Sequence, residues 1–292
     1  PNVLLLDQAE WKLDGERKWR QKEEILRLDN LVRQHVGLPS RGGRNAQPWV
    51  DTAPDPVKGL LHLRFAIDCK VAVTAPQLAM ENPADATLTL NGRRVATKPV
   101  GWWVDEAIRT VSLPSLKPGA HTLEICIPMR RRTNVEWCYL LGSFGVRVKG
   151  RRATIIEAPK TLKFGDWTHQ GLPFYAGNVT YEIPIRGQGR AMRLRAARFS
   201  NPLLTVAIDE KRLGPVAFAP HEIELGKLKG THMLSLTAFG NRHNAFGPLH
   251  HTKRDLTWVG PAAWRSSGEW WSYDYHFKPI GILEPPLLLE AA

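Results

Sequence analysis

Three stretches of this sequence gather side chains that can do chemistry. The first, Phe239 to His251, holds Asn241, His243, Asn244, His250 and His251 among Gly and Pro. Three histidines so close together invite a transition metal. Their spacing fits neither HExxH nor a Cys/His finger, and the segment is too broken by Gly and Pro to be helical. Asn side chains and carbonyl oxygens leave a structural calcium open, since oxygen ligands can come from irregular loops. No other cofactor is expected. The second stretch, Phe164 to Tyr181, carries Trp167, His169, Tyr175 and Asn178 between recurrent glycines. The third is Trp102-Trp103-Val104-Asp105. Aromatic faces stack on the C–H faces of sugars while neighbouring Asn, Asp and His bond hydroxyls, so carbohydrate is the ligand these residues suit. The candidate contacts are Trp167, His169, Tyr175, Asn178, Asn241, His243, Asn244 and His250 in one loop cluster. Trp102, Trp103 and Asp105 form an equivalent rim. The same aromatics also serve cores, and a Trp pair at a strand edge often has one ring inside and one half out.

Other chemistries find less support. Asp105, Glu106, Asp166, Glu269 and Asp274 stand near aromatics, but nothing sets two of them at the separation that glycoside hydrolysis needs. No GxSxG or P-loop is present, and Gly187-Gln188-Gly189-Arg190 supplies two glycines of a dinucleotide fingerprint with no helix behind them. No catalytic residue is assigned. Cys69, Cys126 and Cys138 are too few and too widely spaced for a disulfide framework or a zinc knuckle. A net charge of +12 raises nucleic acid as a partner. The only dense basic clusters, Arg130-Arg131-Arg132 and Lys149-Gly150-Arg151-Arg152, come with no recognisable nucleic-acid motif, and none is expected to bind. No apolar run approaches the roughly 20 residues of a membrane span, and no signal-peptide pattern opens the chain. No compartment can be read, and the start at Pro1 suggests an excised fragment or a processed product.

The elements that position these residues are mostly strands. Leu61, Leu63, Phe65 and Ile67 alternate with other residues, as do Leu123, Ile125 and Ile127. Leu88 to Val95 turns at Asn91-Gly92, a strong hairpin signal. One helix is predicted over Lys22 to Val36, where Ile25, Leu28, Val32 and Val36 repeat at helical spacing before Gly37 and Pro39. A polar loop, Ser40 to Arg44, follows. The second half echoes the first. Leu203 to Leu213 resembles the earlier hairpin with Asp209-Glu210 at its turn, and in both halves a turn Gly precedes a His (His121, His232) and an alternating strand. The expectation is an all-β chain of two tandem β-sandwich domains, 1–150 and 151–292, with one short helix near the N-terminus.

At this point the residues resemble a family. Gly165-Asp166-Trp167-Thr168-x-Gln170-Gly171-x-Pro173-Phe174-Tyr175-Ala176-Gly177-x-Val179-x-Tyr181 looks like the jelly-roll, galactose-binding-like accessory domains of large bacterial glycoside hydrolases of the family-two and rhamnosidase-like kinds. Gly101-Trp102-x-x-Asp105, Pro118-Gly119-x-His121, Leu141-Gly142-x-Phe144-Gly145 and Gly240-Asn241-x-x-Asn244-x-Phe246-Gly247 are similar to segments of such enzymes. The resemblance implies a non-catalytic region that binds carbohydrate, or braces the active site of a neighbouring catalytic domain on the same polypeptide. Two alternatives stand beside it. Both sandwiches could be packing modules with the aromatics between domains, or the chain could be a hydrolase using Asp166 or Glu269.

Overall fold

A computed structural model describes residues 1–40, 54–253, 255–256, 259–260 and 263–290. Trp258 and positions 41–44 of the polar loop lie outside the described residues. The fold is all-β, as the alternating patterns predict, and falls into two compact units. The first comprises Pro1–Ala158 and His250–Tyr275, the second Pro159–Leu249 and His276–Ala292. The sequence divides the chain once, near residue 150. The contacts divide it at Ala158 and again around residues 250–275, which belong with the first unit. The basic run at Lys149 to Arg152 is a hairpin turn inside that unit, with Lys149 paired to Arg152.

The first unit contains β1 (Asn2–Leu6), β2 (Gln8–Leu13), β3 (Arg20–Glu24), α1 (Ile25–His35), β4 (Gly59–Cys69) and β5 (Gln77–Glu81). There follow β6 (Thr87–Leu90), β7 (Arg93–Val95), β8 (Gly101–Trp103), β9 (Asp105–Ser112) and β10 (Gly119–Met129). It closes with β11 (Cys138–Gly142), β12 (Gly145–Lys149) and β13 (Arg152–Ile156). One sheet runs β1-β11-β5-β9-β8. The other runs β12-β13-β4-β10-β6-β7, with β2 and β3 added beside β4. All pairings are antiparallel except β13 on β4. The alternating Leu61, Leu63, Phe65 and Ile67 of β4 and Leu123 and Ile125 of β10 are buried. Each such side chain contributes about 1.5–3 kcal/mol by leaving water.

The helix starts later than its periodicity predicts. Residues 20–24 extend instead, because Glu23 and Glu24 pair with Ala9 and Gln8 of β2. Glu24 then caps α1, its carboxylate accepting from the backbone N–H of Leu26 and Arg27 at 3.0 and 3.1 Å. These are two of the donors that every helix start leaves open. At the other end Gly37 takes φ +69° and the Leu38 N–H returns to the Arg33 carbonyl, closing the helix.

The second unit has one sheet, β16-β15-β17-β14-β18, built from β14 (Val179–Arg195), β15 (Leu204–Ile208), β16 (Lys211–Val216), β17 (Glu222–Ala238) and β18 (Leu287–Glu290). A single helical turn, α2 (His243–Phe246), lies in the loop after β17. The layer against the sheet's apolar face is loop: Phe164, Trp167, Leu172, Ile280 and Ile282 pack with Tyr181, Leu194, Val206 and Leu236.

The echo between the halves is a shared device. Asn91 takes φ +51°; its Oδ1 accepts from the Thr122 N–H at 2.9 Å and its amide meets His121 Nδ1 at 2.9 Å. Asp209 takes φ +47°; its Oδ1 accepts from the Met233 N–H at 2.8 Å and its Oδ2 meets His232 Nδ1 at 2.6 Å. In each unit the Asx residue of the turn clamps the long neighbouring strand through its histidine. Only the second clamp carries charge.

Candidate functional site

The rim residues of the first unit come together at one hairpin. Strand β8 is the outer strand of its sheet, and Trp102 lies directly across from Arg109 on β9. The register then jumps to Trp103 opposite Asp105, so residues 106–108 have no partner on β8. Asp105 Oδ1 accepts from the Ala107 N–H at 2.8 Å and holds this bulge. Val104, at the tip, sits at φ +69°. A β-branched residue there is strained, and such strain persists where the surrounding structure enforces a particular presentation. The tryptophan pair splits. Trp103 packs against Tyr139 with ring centroids 4.8 Å apart. Trp102 is 54% exposed, which leaves a ring face open to a ligand.

The loop cluster of the second unit is built differently. Trp167 is fully buried, its indole N–H donates to Tyr181 Oη at 2.7 Å, and its backbone N–H bonds the Ile280 carbonyl. Phe164 stacks on Tyr181 at 5.0 Å. Tyr175 Oη donates to the Asn178 carbonyl, and Asn178 Oδ1 accepts from the Gly240 N–H. Asn241 Oδ1 accepts from the His243 N–H, capping the turn of α2. Asn244, buried, bonds Lys278 at both backbone groups at 2.8 and 3.0 Å. Burial, with Lys278 nearby, pushes the His243 imidazole down to about 4, so it is neutral at pH 7. These residues satisfy backbone groups and one another. His169 points out, 3.8 Å from Asp166 with a side chain 86% exposed.

His250 does not belong to that cluster. It lies in the first unit, where its Nε2 meets Asp7 Oδ2 at 2.8 Å, and Tyr275 Oη donates to Asp7 Oδ1 at 2.6 Å. Glu24, beside them, accepts from the Trp137 indole N–H at 2.8 Å, and the Trp137 ring meets His250 edge-on. Asp7, Glu24 and His250 are all buried. Burial alone would depress the His250 imidazole, but the Asp7 carboxylate overrides it and raises its pKa. Desolvation raises the Glu24 carboxyl despite its donors. Sequence spacing could not reveal this network, because its members are separated by most of the chain.

A pocket of about 150 Å³ in the first unit also escaped the sequence reading. It opens where β5 ends and is lined by Met80, Glu81 and Asp85 on one side and Ile127, Arg130 and Arg132 on the other. Nothing in these residues' spacing would have singled them out. Among the described residues, no group of three or more His, Cys, Asp or Glu could hold a metal ion. Among the described residues, no helix is long and apolar enough to cross a membrane.

No family model matches the sequence. No curated protein matches it. Among solved structures it is similar to a rhamnosidase from Novosphingobium sp. PP1Y, 16% identical, over 88% of this chain and 26% of that one, with a TM-score of 0.30. It is similar to a beta-D-mannosidase from Dictyoglomus thermophilum, 12% identical, over 83% of this chain and 31% of that one, at 0.31. A GH2 beta-galacturonidase from Eisenbergiella tayi, 11% identical, aligns over 82% of this chain and 37% of that one, at 0.25. These structural neighbours are glycoside hydrolases. The chain spans between 26% and 37% of their lengths, and TM-scores of this size say nothing of its own substrate or chemistry.

Proposed function

We propose that this chain is a non-catalytic carbohydrate-binding region, of jelly-roll, galactose-binding-like units, that serves a neighbouring catalytic domain in a glycoside-hydrolase-like polypeptide. The observation that carries the reading is the exposed Trp102 ring on a strained hairpin, with Arg109 directly across from it. A stacking face beside a hydrogen-bond donor suits a sugar ring. The sequence resemblance of the same residues points the same way. For the second unit a structural role is the better reading, since Trp167 and Asn244 are buried and His243 and Asn178 are committed to the loops.

Glycan-array screening followed by calorimetry tests the proposal. Trp102→Ala should weaken binding of any captured glycan by about tenfold or more, as loss of an aromatic anchor does. Its unfolding free energy should stay within about 0.5 kcal/mol of the parent, as for an exposed side chain. No captured glycan, or an unchanged affinity in Trp102→Ala, would sink the proposal.

A further inference from the structure

The sheet register ties the pocket at the end of β5 to Trp102. Met80 lies directly across from Arg109, and Arg109 directly across from Trp102. Residues opposite one another on adjacent strands project from the same face, so one row runs from the pocket wall to the exposed indole. Two strand spacings put the ends of that row about 10 Å apart. A cavity of about 150 Å³ is the size that encloses one six-membered ring, as an engineered cavity of that volume encloses benzene. Its lining joins the apolar Met80, Ile127 and Pro128 to charged side chains.

The walls hold three carboxylates and two guanidiniums. Asp55 is committed, its two oxygens accepting from the Arg131 and Arg132 backbone N–H groups at 2.8 and 2.9 Å. Arg132 stands 3.8 Å from the same carboxylate, which sets Glu81 and Asp85 against the one guanidinium of Arg130, an excess of acceptors. Arg130 comes only to 3.8 Å from Asp85, a loose contact that a ligand group can enter. A vicinal diol suits such walls, because each hydroxyl can donate to a carboxylate and accept from a guanidinium. An anion would enter walls that hold three carboxylates against two guanidiniums, although the chain as a whole carries +12.

We infer that this pocket binds one neutral pyranose ring and excludes anionic sugars. It forms the second contact of a site that Trp102 begins, so the natural ligand is a neutral oligosaccharide. This rests on the carbohydrate reading of Trp102.

Amide chemical-shift mapping of the whole chain tests it, with millimolar methyl glycosides of glucose, galactose, mannose and rhamnose, and with galacturonate and inorganic phosphate. At least one neutral glycoside should shift Asn82, Asp85 and Thr133, and should do so equally in Trp102→Ala. Galacturonate and phosphate should leave those amides in place. Glu81→Gln with Asp85→Asn should weaken the neutral glycoside about tenfold and relax the exclusion of galacturonate. An unaltered amide spectrum elsewhere would confirm that this variant folds. If no neutral glycoside shifts these amides, or if the anions do so more strongly, the pocket assignment falls. Glycan binding that depends on Trp102 alone would overturn the pocket and leave the rim reading intact. Pocket shifts with no role for Trp102 would do the reverse.

Discussion

Replacing Asp7 is the sharpest test of how the first unit is held together. Its carboxylate is 1% exposed and receives His250 Nε2 at 2.8 Å and Tyr275 Oη at 2.6 Å. Asp7→Ala leaves both groups buried with no acceptor. Removing one partner of a buried pair costs about 3–5 kcal/mol. At about 2–4 °C per kcal/mol for a domain of this size, Tm should fall by roughly 6–20 °C. Asp7→Asn keeps the shape and can accept from Tyr275, so its cost should be near 1–2 kcal/mol, that of losing the charge from the hydrogen bond. The two variants also differ from the parent in pH dependence. The His250 pKa is raised in the folded state, so the pair's contribution is complete below the ordinary imidazole value of 6.5 and is lost as pH rises through the folded value. The stability gap between parent and Asp7→Asn should therefore be widest near pH 6 and narrow on the alkaline side. Urea unfolding followed by tryptophan fluorescence at several pH values measures both quantities, with Trp137 as a reporter against His250. An Asp7→Ala variant within 1 kcal/mol of the parent, or a gap that does not change with pH, would refute the reasoning.

The clamp in the second unit gives a separate pH signature. The hydrogen bond that His232 donates to Asp209 raises the His232 pKa, and the same bond lowers that of Asp209. The His232 imidazole should titrate by NMR above its ordinary value, and Asp209→Asn should bring it back down. Trp167→Ala should destabilise the second unit by about 3–5 kcal/mol, the cost of emptying a fully buried Trp site. Glycan affinity of the folded fraction should not change, and a loss of affinity without loss of stability would return Trp167 to the binding site.

Much of the fold was legible because its causes are local. The Asn91-Gly92 turn and the strands of β4 and β10 follow from backbone preference and period-two patterning, which act over a few residues. The helix was found but its first turn was misplaced, since Arg20–Glu24 is claimed by pairing with β2, a partner outside the helical window. Of the candidate site, the Trp102–Trp103 pair was seen, but which ring faces solvent depended on Tyr139 across the sheet. The recurrent glycines of the Phe164–Tyr181 stretch mark a loop, which enters β14 at Val179. Its aromatic content did not say that Trp167 closes over the sheet with Ile280 and Ile282.

The sequence by itself determined the strand class and the hairpin turns, because each depends on residues that are neighbours in the chain or in one hairpin. Only the tertiary structure decided that residues 250–275 belong to the first unit, that His250 finds Asp7 in β1's wake, and that Glu81, Asp85, Arg130 and Arg132 share a pocket. The physical reason is that burial and charge pairing are settled by which distant segments exclude water from one another. Residue type sets what a side chain can do, and its long-range neighbours decide whether it faces a ligand, a backbone amide or another ring.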